Sequence, residues 1–186
     1  MNDLLSKFIS ENEKLFKQKD LNLIYKEACN DYEMMTNIWQ LTNMFYDLGI
    51  DPLNYGTKIT SIPDYYLAYS DIVPKEIPEG ILSIGRASFA ATGGFRHITL
   101  PNSLKEIGFH SFSHCNLEEI IIPENVTYID SHAFQGCSLL KKVTILSSKL
   151  KFGNEVFYRC PSLQVIESKD HLINGLVPYG VKIRHI

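Results

Sequence analysis

Cys115, Cys137 and Cys160 follow one another at intervals of 22 and 23 residues, and His110, His114 and His132 stand close to them. Thiols and imidazoles could ligate a metal or pair as nucleophile and base. The spacing argues for neither. Zinc sites commonly draw on close Cys-x-x-Cys pairs, and this chain has none. Cysteines one coil apart are instead expected to form a column of small side chains inside a packed stack. His110 and His114 lie four apart, a spacing that suits a metal only on a helix, and their segment reads as a tight coil. Surface histidines are the preferred reading. A metal-dependent or enzymatic site built on His110, His114 and His132 is the alternative. His114 precedes Cys115, but a thiol pointing inward and an imidazole pointing outward cannot share a proton. Gly93-Gly94 could hold a phosphate only if a helix began there, and no helical pattern follows. These residues give no catalytic group, no cofactor and no bound metal.

Composition narrows the function classes. Of 186 residues, 45% are hydrophobic and 21% charged, an ordinary folded balance. The net charge of −3 supplies no basic stripe for nucleic acid. No apolar run is long enough to span a bilayer. MNDLLSKFISENEKLF has neither the basic start nor the apolar core of a signal peptide. The expectation is a cytoplasmic protein whose four cysteines are thiols. Cys29, on a helical segment, is expected to be core or semi-buried.

The elements that must position these residues come in two kinds. Residues 1–56 read as a helical cap: Leu4, Leu5, Phe8, Ile9, Leu15 and Phe16 recur at helical spacing, as do Leu21, Ile24, Tyr25 and Ala28. A third stripe holds Met35, Ile38, Trp39, Leu41, Thr42, Phe45 and Leu48, and Gly49 and Pro52 end it. Residues 57–168 are a repeat. Ile84, Ile107, Ile129 and Phe152 recur at gaps of 23, 22 and 23, and Phe89, Phe112, Phe134 and Phe157 keep step, as do Thr92, Cys115, Cys137 and Cys160. A strand-like pattern follows each time, as in Leu117-x-x-Ile120-x-Ile122-Pro123. Ile62, Leu67, Ser70 and Pro78 fit a worn earlier copy. A unit this short cannot bury its own apolar residues, so the coils must stack, one short parallel strand each. The architecture expected is an α+β solenoid, with residues 169–186 as a C-terminal capping segment and a last strand near Val181–Ile183.

The segment LEEIIIPENVTYIDSHAFQGC, Leu117 to Cys137, resembles the BspA-type leucine-rich repeat, with Asp130 where glycine is usual. The resemblance extends over residues 60–168. It implies a leucine-rich repeat stack acting through protein–protein contacts, with no shared catalytic residues. Relatives of this type include bacterial surface proteins, which makes an adhesin one alternative, and phage-encoded proteins, which makes a modulator of a host protein, such as a defence effector, another.

Two surfaces are candidates for a protein partner. On the strands, Arg96/His97, Glu118/Glu119 and Lys141/Lys142 should stack outward with alternating sign. Mutual neutralisation is the preferred reading and a charged docking strip the other. Ile121 stands among them as an apolar side chain facing out between Thr99 and Thr144, an apolar centre with a charged rim. On the opposite turn, Tyr65 and Tyr69 occupy the columns of His110/His132 and His114 and should both face outward, either as contact residues or as a seat for the helices.

Overall fold

Ile62, Ile84, Ile107, Ile129 and Phe152 stand in one parallel register, each paired with the next. In this computed structural model, residues 3–14, 24, 27–28, 38–47, 60–70, 72, 74, 76–169 and 177–186 are described. The five positions belong to β1 (Ser61–Ile62), β2 (Ser83–Ile84), β3 (Glu106–Ile107), β5 (Tyr128–Ile129) and β7 (Lys151–Phe152), a sheet of order β1-β2-β3-β5-β7. A second parallel sheet, β4-β6-β8-β9, is made by β4 (Glu119–Ile122), β6 (Lys142–Ile145), β8 (Val165–Ser168) and β9 (Lys182–His185). The expectation of one strand per coil is thus corrected: the middle coils carry two. The strands of the first sheet are two residues long, too short for any alternation of side chains to betray them.

Between the sheets the apolar landmarks form columns. The rings of Phe89, Phe112, Phe134 and Phe157 stack with centroids 5.2, 5.3 and 5.6 Å apart and nearly parallel planes. Each such pair contributes about 0.5–1.5 kcal/mol beyond its buried area. The glycine after the isoleucine landmark has a steric cause: a Cβ on Gly108 would lie 2.5 Å from the Ile84 carbonyl oxygen of the coil beneath.

The turn after that glycine has an unusual backbone. Tyr65, Ala87, His110, His132 and Glu155 form one column of left-handed residues. Tyr69, Ala91, His114, Gly136 and Arg159, four positions on, form a second. These two columns bracket each turn, and a ladder of hydrogen bonds joins the turns. The N–H groups of Tyr65, Leu67 and Tyr69 donate to the carbonyls of Arg86, Ser88 and Ala90 in the next coil, and the pattern is complete through four tiers. A left-handed residue with a Cβ costs roughly 1–2 kcal/mol. Three N–H···O bonds per tier, each worth about 1 kcal/mol net, offset that cost.

Helix α1 (Asp3–Glu11) and helix α2 (Ile38–Asp47) precede the coils. Phe8, Ile24, Ala28, Leu41 and Phe45 belong to the same buried cluster as Tyr66 and Leu67 of the first coil. Ser70 Oγ lies 3.2 Å from Asn43 Oδ1 of α2. Of the remaining helical expectations, Leu15, Phe16, Leu21, Tyr25, Cys29, Met35, Leu48, Gly49, Pro52 and the side chains of Leu4, Leu5, Ile38 and Trp39 lie outside the described residues. Among the described residues no helix is long and apolar enough to cross a membrane.

Candidate functional site

The cysteine column is structural. Cys115, Cys137 and Cys160 are buried, and each thiol donates to the carbonyl of the core phenylalanine one coil earlier: Phe89 at 2.8 Å, Phe112 at 3.1 Å and Phe134 at 3.1 Å. Thr92 Oγ1 makes the same bond to Leu67, at 2.7 Å. The column therefore wants a small side chain with one donor, which Thr and Cys both supply. Burial pushes the Cys115 thiol up to about 12. Cys137 is also raised, by its neighbour Cys160 and by burial. Neither is a thiolate nucleophile at neutral pH.

The histidines do not converge. The His110 and His132 rings stack with centroids 5.0 Å apart and planes 16° from parallel, so their in-plane lone pairs run side by side instead of meeting at one point. Phe109 packs edge-on against His110 at 4.2 Å, and Arg86 lies over Phe109 at 5.1 Å. His132 Nδ1 is 3.7 Å from Glu155 Oε2. His114 is exposed and Cys115 buried, so the two face opposite ways. No group of three or more His, Cys, Asp or Glu among the described residues could hold a metal ion.

The outer face of the second sheet gathers the other candidates. Ile121, 57% exposed, stands beside Thr144 in register, and Glu167 and Arg184 continue its row. Glu118 is clamped between two cations, its carboxylate paired with Arg96 Nη1 and, at 2.8 Å, with Lys141 Nζ. Hydrogen bonds from Lys141 and Arg96 hold its carboxyl below the usual range. Lys142 stands opposite Glu119 in register, yet its ammonium pairs with Glu167 at 2.8 Å, and Arg184 lies 3.8 Å from the same carboxylate. Glu119 has no ion pair among the described residues. The alternating column is thus two triads, each a carboxylate between two cations. Glu167 and Arg184 were not legible as site residues, because the repeat fades at Leu163 and Arg184 lies beyond it.

Tyr65 and Tyr69 lie on the turns, apart from this face. Tyr69 is 77% exposed. Tyr65 corrects the expectation that both face outward: it is half-buried and packs against the core.

Comparison with known proteins places this geometry. Among curated proteins none matches the sequence. Among solved structures, the pneumococcal vaccine antigen PcpA is 26% identical with a TM-score of 0.56, covering 69% of this chain and 35% of its own. A leucine-rich repeat protein from Bacteroides ovatus is 24% identical with a TM-score of 0.50, over 60% and 30%. Another from Eubacterium ventriosum is 22% identical with a TM-score of 0.50, over 68% and 36%. The chain spans about a third of the length of these structures. Six copies of the BspA type leucine-rich repeat match residues 60–174, one more than the five legible by eye, and the chain belongs to that family.

Proposed function

We propose that the protein is a non-catalytic binding module that acts by occupying the surface of a protein partner. One observation carries the reading: Ile121 is 57% exposed on a four-stranded parallel sheet, with paired charges beside it. A partner meeting this face orders no loop, which removes a cost of association. The apolar centre supplies burial and the triads supply register. The contact residues are Ile121, Glu118, Glu119, Lys141, Lys142 and Arg96, with Tyr65 and Tyr69 as the second surface to test. In its sharpest form the protein acts in the cytoplasm as a phage-encoded inhibitor of a host protein such as a defence effector. Similarity to a pneumococcal vaccine antigen favours a second reading, display outside the cell as an adhesin-like module.

Capture from a lysate of the source cells, run in parallel with immobilised wild-type protein and Ile121→Asp, tests the site. A partner retained by the wild type should bind the variant at least tenfold more weakly, about 1.4 kcal/mol, with little change in melting temperature. Equal affinity moves the site to Tyr65 and Tyr69. A partner found only among extracellular or surface proteins favours the second reading.

A further inference from the structure

The last coil is short. In the second sheet 23 residues separate Glu119 from Lys142, and Lys142 from Val165, but only 17 separate Val165 from Lys182. Among the described residues, the turns bracketed by left-handed residues end with Glu155 and Arg159. In the four tiers below, three alternate N–H groups each donate to the next coil, as those of His132, Phe134 and Gly136 do to Asn154, Val156 and Tyr158. The N–H groups of Glu155, Phe157 and Arg159 are the next in that series, and they have no acceptor among the described residues. All three residues line one cavity of about 660 Å³, which Val177 and Pro178 also border.

We propose that this notch binds a peptide segment of a partner protein, which takes the same turn as the tiers below and supplies the three carbonyls that a further turn would supply. The donors dictate the ligand. In the lower tiers the matching acceptors are three separate carbonyls on alternate residues, such as Arg86, Ser88 and Ala90. A single carboxylate or phosphate has no such spread; a backbone does.

A second copy of this chain does not fit. Two such ends facing one another would set N–H against N–H. At the opposite end the first turn is covered by α2, with Tyr66 and Leu67 fully buried and Ser70 held to Asn43. Side chains define the sequence. Glu155 and Arg159 are exposed at the two ends of the row, and Phe157 between them is already buried. A segment lying parallel, as every lower tier does, brings a cation over Glu155 and an anion four residues on over Arg159, with small residues between. The site deepens the protein-binding reading but uses none of the residues around Ile121, so either can fail alone.

The probe is acetyl-Lys-Ala-Gly-Ala-Asp-amide, whose acetyl, second and fourth carbonyls match the three donors. It is titrated into the full ¹⁵N-labelled chain and followed by amide shifts. The expected result is downfield movement of the Glu155, Phe157 and Arg159 amides, with those of β4 still, and the same titration in Ile121→Asp. Glu155→Lys/Arg159→Glu, both changes on exposed side chains, should reverse the preference toward acetyl-Asp-Ala-Gly-Ala-Lys-amide by about fivefold, the range of two exposed ion pairs. Unmoved amides overturn the proposal. So do equal responses to both peptides in both proteins, the same shifts with acetate or inorganic phosphate alone, or shifts that follow self-association in sedimentation.

Discussion

Cys137 Sγ lies 3.1 Å from the carbonyl oxygen of Phe112, the stacked aromatic of the coil beneath. The bond joins two repeats at the position where sequence alone could suggest a metal ligand. It fixes the thiol as a donor to the stack.

Cys137→Ala should lower stability by about 1–2 kcal/mol, a small core truncation that also leaves the Phe112 carbonyl short of one donor. Cys137→Thr should recover part of this, because Thr92 makes the same bond in its own coil. Urea unfolding measures both. In a Cys29→Ser background Cys115, Cys137 and Cys160 should react with a thiol reagent only as fast as the chain unfolds. Rapid native-state labelling of all three would show that the column is open.

Gly136 sits at φ +70° with the His114 ring over it, and an added Cβ would come within 2.5 Å of His114 Nδ1 and Cε1. Gly136→Ala should therefore cost about 1–3 kcal/mol, the backbone part from the left-handed conformation and the rest from displacing the ring. Combining it with His114→Ala separates the two. The steric part should vanish in the double variant and the backbone part remain. Strict additivity of the two changes would remove the ring from the account.

Burial, followed by His132, His114 and Arg86, lowers the His110 imidazole from its ordinary 6.5. The unfolded chain then takes up the proton first as the medium is acidified. The neutral ring's contribution is complete above about pH 6.5 and is lost as pH falls below that, through the folded value. His110→Asn, a residue that tolerates the left-handed region, should flatten the fall of the urea midpoint between about pH 7 and 5. An NMR titration midpoint for His110 at or above that of a free imidazole would contradict the assignment.

Phe8, Leu41 and Phe45 share one buried cluster with Tyr66 and Leu67, so removing residues 1–56 would strip cover from the first coil. A chain beginning at residue 57 should aggregate or melt well below the full chain, since solenoid ends need caps. Equal solubility and an unchanged melting temperature would show that the helices are an appendage.

The sequence by itself determined the period, the columns and the face that each landmark takes. Ile84, Phe89 and Cys115 with their successors recur because one coil cannot bury them alone, and that requirement is written into residue type and spacing. The outward placement of Ile121 and the pairing of Glu118 with Lys141 followed from the same register. Tertiary structure alone decided what depends on conformation and on contacts between coils. The first sheet has two-residue strands, too short for a pattern. The left-handed columns hold Tyr, Ala, Glu and Arg beside His and one glycine, and only His and glycine favour that backbone, so no common residue type marks the columns. Lys142 could reach either Glu119 or Glu167, and its long side chain takes the partner that also faces Arg184. The donors of Glu155, Phe157 and Arg159 have no acceptor among the described residues, beside a last coil six residues short, and only the pairing of Val165 with Lys182 reveals that deficit. A repeat specifies its own interior, whereas its ends are set by whatever the next coil fails to supply.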